Sequence, residues 1–415
     1  MCKKNFSFSM WIKYLEKLEK KGQTNLIEIK NIAKKLNLLS LQSFFFTVGG
    51  TNGKGTTCAI LEQLLLDSGY QVGLYTSPHL LNFTERVKIN GSYISEIQYI
   101  NAFFEIYSVK LNYSLSYFEF VTLTALFLFK KYSPLDVIIL EVGLGGRLDA
   151  TNIIDSDISI ITNISIDHTS ILGPNRFSIA REKAGIFRKN KISVIGEKNL
   201  PSSIYQVAKA SQTILKIINK DWRWRKHNNN WDLIHENIKL YNLPTPQIPL
   251  SNVALALSAL FYSDLIINKK MLRSSISKVR LQGRFQIISY YPIIILDVAH
   301  NFHATVYLAK KINQIDIQGK LYVIFGVLKD KDILSIISPL QDQVYYWYAS
   351  LLPINRSATM DQLKKNLPTQ NTLFFCSIEH AWKNLKSKLK KKDVVLVFGS
   401  FITVSEFISI TNKEI

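Results

Sequence analysis

The sequence predicts an α/β fold with mostly parallel sheets, laid out as two successive series of strands and helices. Two observations carry this expectation: apolar runs of strand length alternate with helical patterns along the chain, and one strand–helix junction holds the glycine-rich stretch GGTNGKGTT at Gly49–Thr57. In the first series, Phe44–Val48 reads as a buried strand. The pattern from Thr56 to Gly69 sets Ile60, Leu61, Leu64 and Leu65 on one helical face, with Gly69 able to end it. Val137–Val142, Ile158–Ile164 and Ile192–Ile195 read as further buried strands. The second series starts near Ile293. It runs through strand Ile293–Asp297, helix Ala304–Ile312, strands Leu321–Phe325, Val344–Tyr348 and Leu373–Cys376, helix Ile378–Leu389 and strand Val394–Phe398. The segment Leu281–Gln286 (LQGRFQ) serves as a joint, so the expected domains are 1–285 and 286–415. Residues 215–247, with Trp222, Trp224 and Trp231, read as irregular and solvent-facing.

Composition narrows the function classes. A chain of 415 residues, 47% hydrophobic and 20% charged, is globular and long enough for two or three domains. Its apolar runs, such as Leu123–Phe129, fall well short of the roughly 18 residues a membrane helix needs, so no membrane partner is expected. The apolar stretch near the N-terminus is broken at Lys13, which argues against a secretory signal. Cys2, Cys58 and Cys376 have no metal or disulfide spacing, which fits a reducing, cytoplasmic setting. The net charge of +20 is scattered in short runs and reads as a drift toward Lys, Asn and Ile rather than a nucleic-acid surface. A basic field would still attract polyanionic small molecules.

The glycine-rich stretch is an anion site in its context. Glycines let backbone N–H groups converge on phosphates, and the following helix start adds partial positive charge. Lys54 would reach the terminal phosphates, and the hydroxyl of Thr56 or Thr57 would face phosphate or magnesium. The spacing departs from the common phosphate loop, because Gly55 separates Lys54 from the first threonine. A switch or motor ATPase would need Lys followed directly by Ser or Thr. A dinucleotide fold is excluded at Gly143–Leu148, where Leu148 takes the third glycine's place.

GTNGKG resembles the loop of the Mur ligase superfamily, and the chain from about Trp11 to Phe401 resembles its folylpolyglutamate synthase branch, of the bifunctional dihydrofolate synthase type. The motifs are TNGKGTT, TSPHL at Thr76–Leu80, EVGLGGRLDATN at Glu141–Asn152, DHTSILG at Asp167–Gly173 and REKAGIF at Arg181–Phe187, followed by LQGRFQ, DVAHN at Asp297–Asn301, DKD at Asp330–Asp332 and GSF at Gly399–Phe401. The resemblance implies an N-terminal P-loop-type ATPase domain with a mostly parallel sheet and a smaller C-terminal Rossmann-like domain. It implies ATP-driven joining of L-glutamate to dihydropteroate and to tetrahydrofolates, through an acyl phosphate, by a monomer whose second domain closes over the first.

The same resemblance assigns residues. ATP would be held by Thr51, Asn52, Gly53, Lys54, Gly55, Thr56, Asn252, Arg284 and Asp297, with His300 participating in catalysis. Ser77, Glu141 and His168 would bind magnesium. Lys183, carbamylated by CO2, would help hold a second ion. Dihydropteroate would meet Tyr117, Phe118, Glu119, Phe120, Leu148, Asp149 and Ala150. Two departures stand out: Phe302 replaces the proline usual after DVAHN, and GQTNL at Gly22–Leu26 differs from the family's acid-containing loop, which bears on the dihydrofolate synthase half of the activity.

Overall fold

The computed structural model describes residues 5–18, 26–110, 113–236 and 238–412. It divides into two compact units, Met1–Val279 and Arg280–Ile415, so the joint LQGRFQ lies within the second.

The first unit is built on eight strands: β1 (Phe44–Gly49), β2 (Val72–Tyr75), β3 (Val87–Ile89), β4 (Ser92–Tyr93), β5 (Val137–Glu141), β6 (Ile158–Ile161), β7 (Ile192–Ile195) and β8 (Ile214–Ile217). Their order is β4-β3-β2-β5-β1-β6-β7-β8. From β2 to β8 across the sheet all neighbours are parallel, and β3 and β4 add an antiparallel edge. Helices cover the parallel strands, so β5 is buried throughout and reads as an apolar run rather than an alternation. One layer is aromatic: Trp11 packs against Phe103 of the helix Glu96–Lys110 and Phe120 of the helix Tyr117–Lys131. The residues Gly22–Asn25 of the departing loop lie outside the described residues.

The segment expected to be irregular is a second sheet. After β8, the strands β9 (Trp222–Lys226), β10 (Asn230–His235) and β11 (Lys239–Pro244) form an antiparallel meander. Trp222 and Trp231 are buried, and the Trp231 indole donates to the Pro244 carbonyl at 2.9 Å. Trp231, Leu233 and His235 point inward at period two, a strand signal that the polar residues at the hairpin turn concealed.

The second unit carries β12 (Gln286–Tyr290), β13 (Ile293–Leu296), β14 (Leu321–Phe325), β15 (Tyr346–Ser350), β16 (Thr372–Phe375) and β17 (Val394–Phe398). Their order is β12-β13-β17-β14-β15-β16, parallel except for β12. β15 begins two residues later than the apolar run at Val344 suggested, and Val344 itself is buried outside the strand.

Candidate active site

The phosphate loop leaves β1 at Gly49 and enters the helix Lys54–Leu66. Two glycines are required by close approach: a Cβ on Gly50 (φ +138°) would lie 1.8 Å from Thr162 Oγ1, and one on Gly53 (φ +82°) 2.5 Å from Asn252 Nδ2. The loop is templated by the segment after β6. Asn52 donates its N–H to Asn163 Oδ1 at 3.0 Å, while Asn163 Nδ2 and Thr162 Oγ1 donate to the Asn52 carbonyl at 2.9 and 2.7 Å. The Thr51 N–H donates to the Asn163 carbonyl at 2.9 Å, and Thr51 Oγ1 accepts the Ser165 N–H at 3.0 Å. Sequence reasoning missed Thr162, Asn163 and Ser165. Their signal was position, since they follow a parallel strand at its C-terminal end, where open α/β sheets place ligands.

Lys54 Nζ donates to the carbonyls of Gly50 and Thr51 at 3.2 and 3.3 Å, so its ammonium curls over its own loop. Thr56 and Thr57 both donate to the Gly53 carbonyl, at 2.8 and 2.9 Å. Asn252 Nδ2 donates to Thr56 Oγ1 at 2.6 Å, which sets it against the loop.

Glu141 ends β5 opposite Val48 of β1 and is 5% exposed. Its Oε2 accepts the Ser77 N–H at 2.9 Å, and a Cβ on Gly55 would stand 3.6 Å from both carboxylate oxygens. Register thus brings Glu141, Ser77 and Gly55 together. His168 caps the short helix Thr169–Leu172 in a left-handed conformation (φ 51°), with its ring Nε2 3.9 Å from Asp167 Oδ1. Among the described residues, no three His, Cys, Asp or Glu side chains gather to hold a metal. The Glu141 carboxylate and, at the neighbouring strand end, Ser77 offer oxygen donors of the kind a hard divalent ion takes.

Lys183 closes the helix Arg176–Lys183 and is 3% exposed. Burial, with the Lys54 charge adding to it and Asp167 and Asp149 opposing, pushes its ammonium down to about 7.

The aromatic motif divides by depth. Glu119 is spent on the helix start, its Oε2 accepting the Ser116 N–H at 2.9 Å and hydroxyl at 2.8 Å. Phe120 is fully buried in the aromatic layer. Tyr117 and Phe118 stay half-buried, Phe118 with its ring 6.1 Å from that of Tyr75. Leu148 is half-buried too. Asp149 is buried, accepting N–H groups from Leu144 (2.9 Å) and Thr151 (3.0 Å), and burial raises its carboxyl. Ala150 is buried behind it.

In the second unit, Asp297 follows β13, and its carboxylate accepts the Phe285 and Ala299 N–H groups at 2.8 Å each. Burial raises its carboxyl, against the pull of Arg284. The Arg284 guanidinium lies 4.9 Å from the Phe401 ring centroid, and His300 shares that ring at 6.3 Å. His300 Nδ1 is 2.9 Å from the Val298 carbonyl, so Nδ1 carries the proton. Asn301 caps the helix Phe302–Ile312, which starts without the proline.

Fold and site together define a phosphate-loop nucleotide-binding α/β protein. Residues 48–251 match the family model of the Mur ligase middle domain, and residues 283–401 that of the Mur ligase glutamate ligase domain. The chain is 62% identical over 416 residues to the dihydrofolate synthase/folylpolyglutamate synthase of Buchnera aphidicola subsp. Schizaphis graminum, covering 100% of this chain and 99% of that one. To the protein of the same name in Escherichia coli (strain K12) it is 43% identical over 405 residues, covering 97% and 95%. Among solved structures, E. coli FolC in complex with DHPP and ADP matches with a TM-score of 0.95 at 42% identity over 99% of both chains. A bifunctional folylpolyglutamate synthase/dihydrofolate synthase with Mn, AMPPNP and L-glutamate bound matches with a TM-score of 0.93 at 43% identity, again over 99% of both. The chain belongs to the Mur ligase family and, within it, to the dihydrofolate synthase/folylpolyglutamate synthases. Among the described residues, no helix is long and apolar enough to cross a membrane.

Proposed function

We propose that this protein uses ATP to join L-glutamate to dihydropteroate, forming dihydrofolate, and to the glutamate tail of tetrahydrofolates. The observation that carries the reading is the phosphate loop with Glu141 and Ser77 set against Gly55. The substrate carboxylate attacks the γ-phosphorus of ATP, giving an acyl phosphate and ADP. The glutamate amine then attacks the activated carbonyl, phosphate leaves and an amide forms. A carboxylate alone is a poor electrophile with a poor leaving group, and phosphorylation cures both defects. The chain's contribution is position and charge: the loop amides with Lys54 grip the phosphates, Thr51, Asn52, Gly53, Gly55, Thr56 and Asn252 shape the nucleotide site, and Tyr117, Phe118 and Leu148 form the acid's wall. Arg284 and Asp297 also serve the nucleotide in this reading, with His300 beside them. Ser77, Glu141 and His168 would hold magnesium, and a carbamylated Lys183 a second ion. A divalent cation bound there would offset charge on the transferring phosphoryl group.

The test is ADP release from the purified protein with L-glutamate and either dihydropteroate or tetrahydrofolate. Release with both acceptors is expected. Release with only one would reduce the proposal to a single activity, and no acceptor-dependent release would refute it. The loop template adds a second expectation. Asn163→Ala removes two hydrogen bonds to the Asn52 backbone and should weaken AMPPNP binding about tenfold, measured by titration, with a little-changed thermal midpoint.

A further inference from the structure

Arg86 ends the turn Phe83–Arg86 just before β3 and is only 6% exposed. Its guanidinium lies between two rings, 5.4 Å from the Phe83 centroid and 5.5 Å from that of Tyr117. Its Nε donates to His79 Nδ1 at 2.9 Å. Its charge is felt by Tyr75 and Tyr99 as well. Among the described residues, no carboxylate stands within ion-pair distance of it. Its neighbour Glu85 is spent elsewhere, accepting the N–H groups of Leu80, Leu81 and Asn82 at 2.6–2.8 Å.

Such a group is expensive to bury. A guanidinium stays charged at any pH the fold tolerates and carries five N–H donors. Removing it from water with no counter-ion is strongly unfavourable, and aromatic faces offset only part of that. A single side-chain hydrogen bond, to His79, leaves donors over. A core position would be served better by an apolar side chain, so the retained charge needs a reason. Tyr117, whose ring covers Arg86, is the neighbour of Phe118, and these are the half-buried aromatics assigned above to the acid's wall. We propose that Arg86 is a further binding residue of that pocket, offering its remaining guanidinium donors to an acceptor group of the acid substrate, an oxygen or a ring nitrogen. The inference rests on reading Tyr117 and Phe118 as substrate wall.

The test uses the full chain and two probes, dihydropteroate and AMPPNP, titrated into wild type, Arg86→Lys and Arg86→Met in the presence of magnesium. Arg86→Met is expected to weaken dihydropteroate about thirtyfold and to leave AMPPNP within about threefold, because a hydrogen bond to a charged group is lost only at the acid. Arg86→Lys keeps the charge without the planar fork and should still weaken the acid about tenfold. If the methionine variant fails to fold, the lysine variant decides the matter. A third probe, 6-hydroxymethyl-dihydropterin, lacks the carboxylate. Loss of its binding in the variants would place Arg86 at the pterin edge, and unchanged binding would place it at the carboxylate. Should both variants bind dihydropteroate normally while only their thermal midpoints fall, Arg86 is structural and the inference is wrong. Failure of the wild type to bind dihydropteroate would instead remove the parent reading, and this inference with it.

Discussion

Replacing Lys54 by alanine is expected to lower turnover by about 10²–10³ while the protein stays folded. The ammonium stands over the loop on the carbonyls of Gly50 and Thr51, contacts that a triphosphate can replace without any movement of the backbone. Its removal leaves the helix start and loop amides to grip the nucleotide, so binding should suffer less than the chemical step, in which charge migrates on the transferred phosphoryl group. Glu141→Gln should fall comparably. The amide still accepts the Ser77 N–H, so the fold is kept, but the negative charge facing Gly55 is lost. Steady-state ADP release beside circular dichroism separates the two effects, and near-normal turnover in either variant contradicts the proposed site.

Lys183→Ala is expected to cost a similar factor, and the wild type should depend on CO2. Only a neutral amine attacks CO2. An ordinary lysine, near 10.5, is almost wholly charged at pH 8, whereas a group at about 7 is roughly nine-tenths neutral there. Burial would thus prepare the nucleophile, and a carbamate formed there would place an anion beside Lys54. Activity in limiting bicarbonate should rise as pH passes upward through 7. The sign for stability follows from the same shift. The unfolded chain binds the extra proton between about 7 and 10.5, so the buried lysine weighs against folding below 7, and that cost fades as pH climbs through this window. Native mass spectrometry without acid should show one added CO2. No such adduct, with full activity of Lys183→Ala and indifference to bicarbonate, would eliminate the carbamate.

How far the site could be read in advance depended on the range of the contacts involved. The phosphate loop was legible because strand, glycines, lysine and helix start are contiguous, and local backbone rules act within a few residues. The motif residues Glu141, His168 and Lys183 were legible as members of a series, though nothing local says what each faces. Glu119 and Phe120 show how depth varies within one motif. They share a motif with Tyr117 and Phe118, but the helix cap takes Glu119 and the helical turn carries Phe120 into the aromatic layer. The meander at β9–β11 was missed for a related reason, since its inward-facing residues are diluted by an exposed face rich in Arg, Asn and Lys.

The alternation of strands and helices in the two series, the anion loop and the family motifs were legible in the sequence alone, because each is written in neighbouring residues whose conformations are set by short-range sterics and periodicity. The partners were decided by the tertiary structure. Asn163 meets Asn52 across 111 residues, Ser77 meets Glu141 across 64, and Arg86 lies against the rings of Phe83 and Tyr117. Burial and pairing belong to the packed sheet, whose register brings distant strand ends together.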